Sequence, residues 1–139
     1  MQSEGNINNI GLVRSVYAAF ANHNFDVIIA SLSEDIEWGE PSNPYNPSGG
    51  IKHGHAGFME WLRIGRDAEE ILILEPRKFL VDNDSVAVVG YTQCRVKSTN
   101  KIYETDFVHL FTFKENKIIR FQEFFDTYIA GEAFRIDKN

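Results

Sequence analysis

The chain has 139 residues, 43% of them apolar, which is one domain's worth of polypeptide with ample material for a core and no room for two independent domains. Fourteen Lys and Arg against twenty Asp and Glu give a net charge of −6, which opposes binding to phosphate backbones, so no nucleic-acid partner is expected. The single cysteine, Cys94, excludes a disulfide framework and a multi-Cys zinc site. No stretch approaches the roughly 20 apolar residues of a membrane span, and Met1 to Asn9 has no apolar signal-peptide core, so a cytoplasmic location with no membrane partner is expected. Eleven Phe, five Tyr and two Trp are more ring surface than a core of this length needs, which leaves two uses open: a Phe-heavy core, or an apolar cavity lined by rings.

Between Ile7 and Asn22, apolar Ile10, Val13, Tyr17 and Phe20 recur at a spacing that places them on one helix face. Phe25, Ile28, Ile29 and Leu32 repeat that spacing after a polar break, which predicts a second helix with Asn24 as a candidate cap. Asp35 to Trp38 alternates polar and apolar as a half-buried strand does. The segment from Glu40 to Gly50 carries Pro41, Pro44, Pro47, Gly49 and Gly50 and reads as one long irregular loop, either a functional rim or a surface connection. A third helix is expected over His55 to Arg66. Four long strands follow, Ile71 to Val81, Ser85 to Lys97, Lys101 to Lys114 and Lys117 to Phe125, separated by the turn signals Asp82-Asn83-Asp84, Ser98-Thr99-Asn100 and Glu115-Asn116. Tyr128 to Ile136 can close the chain as a short helix.

Helices first and an antiparallel meander afterwards define an α+β fold, a single domain over 1–139, with N-terminal helices packed on a strongly curved antiparallel sheet that encloses an apolar pocket. The outward face, read as carrying Val86, Val88 and Val96 on one strand and Val108 and Leu110 on the next, is apolar enough to predict a homodimer through the outer sheet face.

Several stretches in this order carry a family likeness: Tyr17-Ala18-Ala19-Phe20 with Asn24-Phe25-Asp26, Ser33 to Trp38, Gly54-His55 before a helix, and Lys117 to Asp126 at the end. Over nearly the full length the chain resembles the nuclear transport factor 2-like superfamily, with its ketosteroid isomerases and SnoaL-like polyketide cyclases. The resemblance implies a cone-shaped, cystatin-like sheet around a pocket. It implies a proton-transferring carboxylate at Glu40, which stands where the isomerases place theirs. The isomerase Tyr slot falls on Val16, one residue before Tyr17, and the slot of the isomerases' oxyanion-hole Asp falls on His109, so the cyclase pattern, with Asp126 as acid/base and His109 beside it, fits better.

Strand parity is a check independent of the family. Tyr103, Thr105, Phe107, His109, Phe111 and Phe113 share one face of their strand, so His109 sits among rings. Gln122, Phe124 and Asp126 share one parity on the neighbouring strand, which makes Asp126 the expected carboxylate partner of His109; the competing reading is a core histidine, with Asp126 capping the last segment. Glu40 is either a base at the pocket mouth or a solvated acid before a proline. Tyr17, Trp38, Phe58, Trp61, Phe107, Phe111 and Phe124 are the expected walls for a small apolar ligand. Arg95 and Arg120 are candidates to reach an anionic group. His53 and His55 lack any metal-ligand spacing, and the chain has no phosphate loop, dinucleotide fingerprint or nucleophile elbow, so neither metal nor cofactor is expected. The expected function is cofactor-independent proton transfer on an apolar carbonyl-bearing molecule, as isomerisation, cyclisation or hydration; the alternative is a non-catalytic ligand-binding or dimerisation domain.

Overall fold

The computed structural model describes residues 4–137; the two ends of the expected 1–139 domain, residues 1–3 and 138–139, lie outside the described residues. The elements run α1 (Glu4–Ala21), α2 (Phe25–Ser31), β1 (Leu32–Glu40), β2 (Gly50–His53), α3 (Gly54–Ala68), β3 (Glu69–Asp82), β4 (Ser85–Val96), β5 (Ile102–Lys114), β6 (Lys117–Phe125) and α4 (Thr127–Phe134). No described helix is long and apolar enough to cross a membrane.

All six strands form one sheet in the order β2-β1-β6-β5-β4-β3, and it does not close on itself. β3 to β6 are the expected antiparallel meander, and β1 joins them parallel to β6. The turns work as their composition predicts: Asn83, Asn100, Glu115 and Asn116 all adopt positive φ, at 49°, 64°, 51° and 65°. The sheet curls because its ladder is broken by register shifts, two between β3 and β4 and one each in β5–β6 and β1–β6. Each extra residue bends its strand and adds twist. α1, α2 and α3 cover the concave face, and the main core of Val13, Ile28, Ile36, Phe58, Phe111 and Ile118 lies between them and the sheet.

Four expectations need correction. Val86, Val88 and Val96 are fully buried and face inward, because Val86 and Val88 stand opposite Phe111 and His109; the outward residues of β4 are Ala87, Val89 and Tyr91. Asn24 makes no side-chain cap, since its φ of −94° and ψ of 71° lie outside the extended geometry a cap requires. The chain leaves the long loop as β2, a four-residue edge strand paired with β1 that is too short and too glycine-led to show periodicity. Phe124 points away from the core and is 50% exposed.

One glycine is dictated by close approach. Gly90 on β4 sits opposite Phe107, and a Cβ there would run into the Phe107 ring and the Glu75 carbonyl.

Candidate functional site

Between the helices and the concave sheet face lies a cavity of about 110 Å³. Its apolar wall includes Trp38 on β1, Phe58 and Trp61 on α3, and Phe107 and Phe111 on β5, five of the seven residues expected there. The rings pack edge-on or stacked: Trp38 lies 3.9 Å from Phe121 and 4.7 Å from Phe58 between centroids, and Phe107 lies 4.0 Å from His109. Such contacts hold the wall in place beyond the area they bury.

Into this wall project carboxyl, phenol and imidazole groups from five elements, α1, β1, β3, β5 and β6. His109, 6% exposed, is the centre of a chain of hydrogen bonds. Its Nδ1 lies 2.6 Å from the Tyr17 hydroxyl on α1, and its Nε2 lies 2.8 Å from Oε2 of Glu123 on β6. Burial, followed by the nearby Glu123 charge, raises the Tyr17 pKa, so the phenol keeps its proton and donates it to Nδ1. That assignment places the imidazole proton on Nε2, from which it is donated to Glu123. Tyr17 was the sixth expected wall residue, and here it also takes part in the polar chain.

Glu40 is the last residue of β1 and shares the inward parity of Ile36 and Trp38. It is 9% exposed, so the reading of a solvated acid does not hold. The Trp61 indole donates to its Oε1 and the Asn46 amide to its Oε2, both at 3.0 Å. Burial pushes the Glu40 carboxyl up to about 8, and the charge of Glu123 adds to the push; the Trp61 bond opposes it, Glu69 adds a smaller push, and the Asn46 bond opposes that in turn. Glu69, at the start of β3, is pushed up to about 7 by burial, against the pull of a hydrogen bond that the Tyr103 phenol donates to it at 2.6 Å.

Asp126 is not part of this cavity. It is the N-cap of α4, accepting a hydrogen bond of 3.1 Å from the Ile129 backbone N–H, and its side chain is turned to solvent. The partner of His109 is Glu123, directly opposite it in the ladder. Phe124 faces outward for the same reason of parity. Arg95 pairs with Glu70 and Arg120 with Glu37, both on the surface, and neither lines the cavity. Among the described residues no three His, Cys, Asp or Glu side chains are placed to hold a metal ion. Cys94 is buried and its thiol is pushed up to about 12 mainly by burial, which disfavours the thiolate a nucleophile needs.

Sequence reasoning missed Glu123, Glu69, Tyr103 and Asn46. The signal for Tyr103 is its parity, since it shares the cavity-facing side of β5 with His109. Asn46 lies within the Pro/Gly loop, whose rim character was one of its two readings; that loop supplies a donor to Glu40 and is tied to α4 by the Asn43 amide, which donates to the Thr127 carbonyl at 2.8 Å.

The comparisons with known proteins agree with this architecture. The family model described as a SnoaL-like domain matches residues 13–121. The chain belongs to the SnoaL-like domain family, within the nuclear transport factor 2-like superfamily. It is similar to the structure of an NTF2-like protein from Burkholderia xenovorans LB400, at 32% identity and a TM-score of 0.86, covering 94% of this chain and 98% of that one. It is also similar to an NTF2-like protein from Burkholderia pseudomallei K96243, at 26% identity and a TM-score of 0.85, with 93% and 98% covered. A third is TerC co-crystallised with polyporic acid, at 29% identity and a TM-score of 0.82, with 91% and 98% covered. No curated protein matches the chain.

Proposed function

We propose that the protein is an acid–base enzyme that moves a proton on a small, largely apolar, carbonyl-bearing molecule held in this cavity, without a cofactor. The observation that carries the reading is the convergence of three carboxyls, an imidazole and two phenols on one ring-lined cavity, with the Glu40 carboxyl displaced to about 8. Two carboxyls in one site whose environments differ divide naturally into an acid and a base.

Glu123 is the base. His109 holds its Oε2, Tyr17 holds His109, and Oε1 has no donor among the described residues, so it is free to take a proton from the carbon beside the substrate carbonyl. Glu40 is the acid. Below about pH 8 it keeps its proton, and the protonated carboxyl donates to the carbonyl oxygen as the electron pair of the breaking C–H bond moves onto it. Returning the proton at another carbon isomerises the molecule, and attack of the enol on a second carbonyl closes a ring. TerC, a relative 29% identical that was crystallised with polyporic acid, supports a small organic molecule as occupant.

The test is deuterium incorporation at the α-carbon of 2-tetralone in D₂O, followed by proton NMR. The native protein accelerates the exchange, and Glu123→Gln slows it by about 10²- to 10⁴-fold with little change in Tm. Exchange at the solvent background rate with native protein would reduce the cavity to a binding site. We further propose that two copies pair through the sheet face turned away from the helices, which presents Phe124, Val108 and Leu110.

A further inference from the structure

Proton transfer engages Glu40, His109, Tyr17 and Glu123 and leaves the other polar end of the cavity without a task. There the Tyr103 phenol, on a residue 7% exposed, donates to Oε2 of Glu69, while Oε1 of Glu69 has no donor among the described residues. Tyr103 and His109 stand on the same face of β5 six residues apart, at most about 20 Å along an extended strand. The wall between them is Thr105 and Phe107. The cavity therefore has two polar ends joined by the Phe107 ring and by Thr105, whose hydroxyl is occupied by the Asp106 carbonyl and the Asp126 N–H. No Lys or Arg lines it, so a carboxylate or phosphate would be desolvated beside Glu40, Glu69 and Glu123 with no cation to offset its charge. A carboxyl with one oxygen fixed by a phenol and the other free is an acceptor of defined direction, and hydrogen bonds to a charged acceptor are the strong ones.

We propose that Glu69, positioned by Tyr103, is the specificity-determining residue of this cavity, selecting a two-ended molecule whose end remote from the reacting carbonyl carries a hydroxyl. The assignment rests on the proton-transfer reading for the carbonyl end. Burial places the Glu69 carboxyl at about 7, so it is mostly ionised at pH 8, where it can only accept. Tyr103, Cys94 and the Glu123 and Glu40 carboxyls are the other titratable groups on the cavity wall around it that a pH series must take into account.

The test compares two rod-shaped ketones that differ by one methyl group, 4-(4-hydroxyphenyl)butan-2-one and its methyl ether, together with the carboxylate 4-(3-oxobutyl)benzoate. Affinities are read at pH 8 from the fluorescence of Trp38 and Trp61 on the wall. The hydroxy ketone binds the native protein about tenfold more tightly than the ether, and the carboxylate binds more weakly than either. Glu69→Gln brings the ratio below threefold and leaves the ether's affinity unchanged. Should Glu69→Gln not fold by circular dichroism, Tyr103→Phe, which frees the carboxyl to swing, lowers the ratio at least threefold. Equal affinities for the two ketones, a ratio that survives the substitution, or a carboxylate that binds as well as the phenol overturns the role of Glu69 and leaves the proton-transfer reading standing. Failure of both ketones to bind overturns both.

Discussion

Glu40 shows how one residue's surroundings turn a common side chain into a tuned one. Its hydrogen bonds from Trp61 and Asn46 favour the charged form, yet burial and the Glu123 charge outweigh them, and the carboxyl titrates near 8. Since the folded state holds this proton more tightly than the unfolded chain, the stabilisation is complete below the unfolded value of 4.5 and is lost as pH rises through about 8. Glu69 acts in the same direction over the narrower span from 4.5 to about 7. Thermal denaturation from pH 4.5 to 9 is therefore expected to show a falling Tm, and Glu40→Gln to flatten the upper part of that fall. The rate of α-carbon exchange should fall over the same upper range, as Glu40 gives up the proton it donates.

At the scale of elements, the hairpin of β5 and β6 decides which acid enters the site. Lys114 pairs with Lys117 and Phe113 with Ile118 around the two-residue turn, and if that register ran on, His109 would face Gln122. The shift between Thr112 and Phe113 leaves Ile119 unpaired, and every later residue of β6 changes face, bringing Phe121, Glu123 and Phe125 inward. Parity read from the sequence was right along β5, where no shift intervenes, and wrong for Gln122, Phe124 and Asp126, because a bulge has no signature in composition. The helices, the meander and its turns were legible because periods and turn residues repeat many times over; the identity of one partner across a ladder depends on a single inserted residue. Asp126 is accordingly a capping residue. Asp126→Ala should cost about 0.5–2 kcal/mol in chemical denaturation and leave α-carbon exchange unchanged. Gly90→Ala on β4 is expected to force Phe107 off its stack with His109, lowering stability by about 1–3 kcal/mol and weakening ketone binding, both measurable on one purified variant.

For the whole molecule, the curled sheet does two jobs with its two faces. The concave face, closed by α1, α2 and α3, makes a space in which charges are poorly solvated, which is what shifts Glu40 and Glu69. The opposite face presents Phe124, half exposed, beside Val108 and Leu110. Light scattering at micromolar concentration is expected to give twice the chain mass, and Phe124→Glu to give the monomer with its cavity intact; a native monomer would leave the outer face simply solvated. Composition left the use of the eighteen aromatic rings open between core and cavity, and Trp38, Phe107, Phe111 and Phe121 serve as both at once.

The unpaired Ile119 acts on β6 as a frame marker does on a coding strand. Removing it would turn the bulge into a regular ladder, with Arg120 still opposite Thr112 and Glu123 still opposite His109, whereas one more residue beyond it would exchange the strand's two surfaces and bring Gln122 opposite His109. A single-residue insertion between Phe121 and Gln122 should therefore abolish α-carbon exchange, while deletion of Ile119 should leave Glu123 in the site and exchange largely intact. The same logic governs comparison among relatives: two chains that differ by one residue in this hairpin carry their site acid at positions that a gap-free alignment sets against the wrong partner.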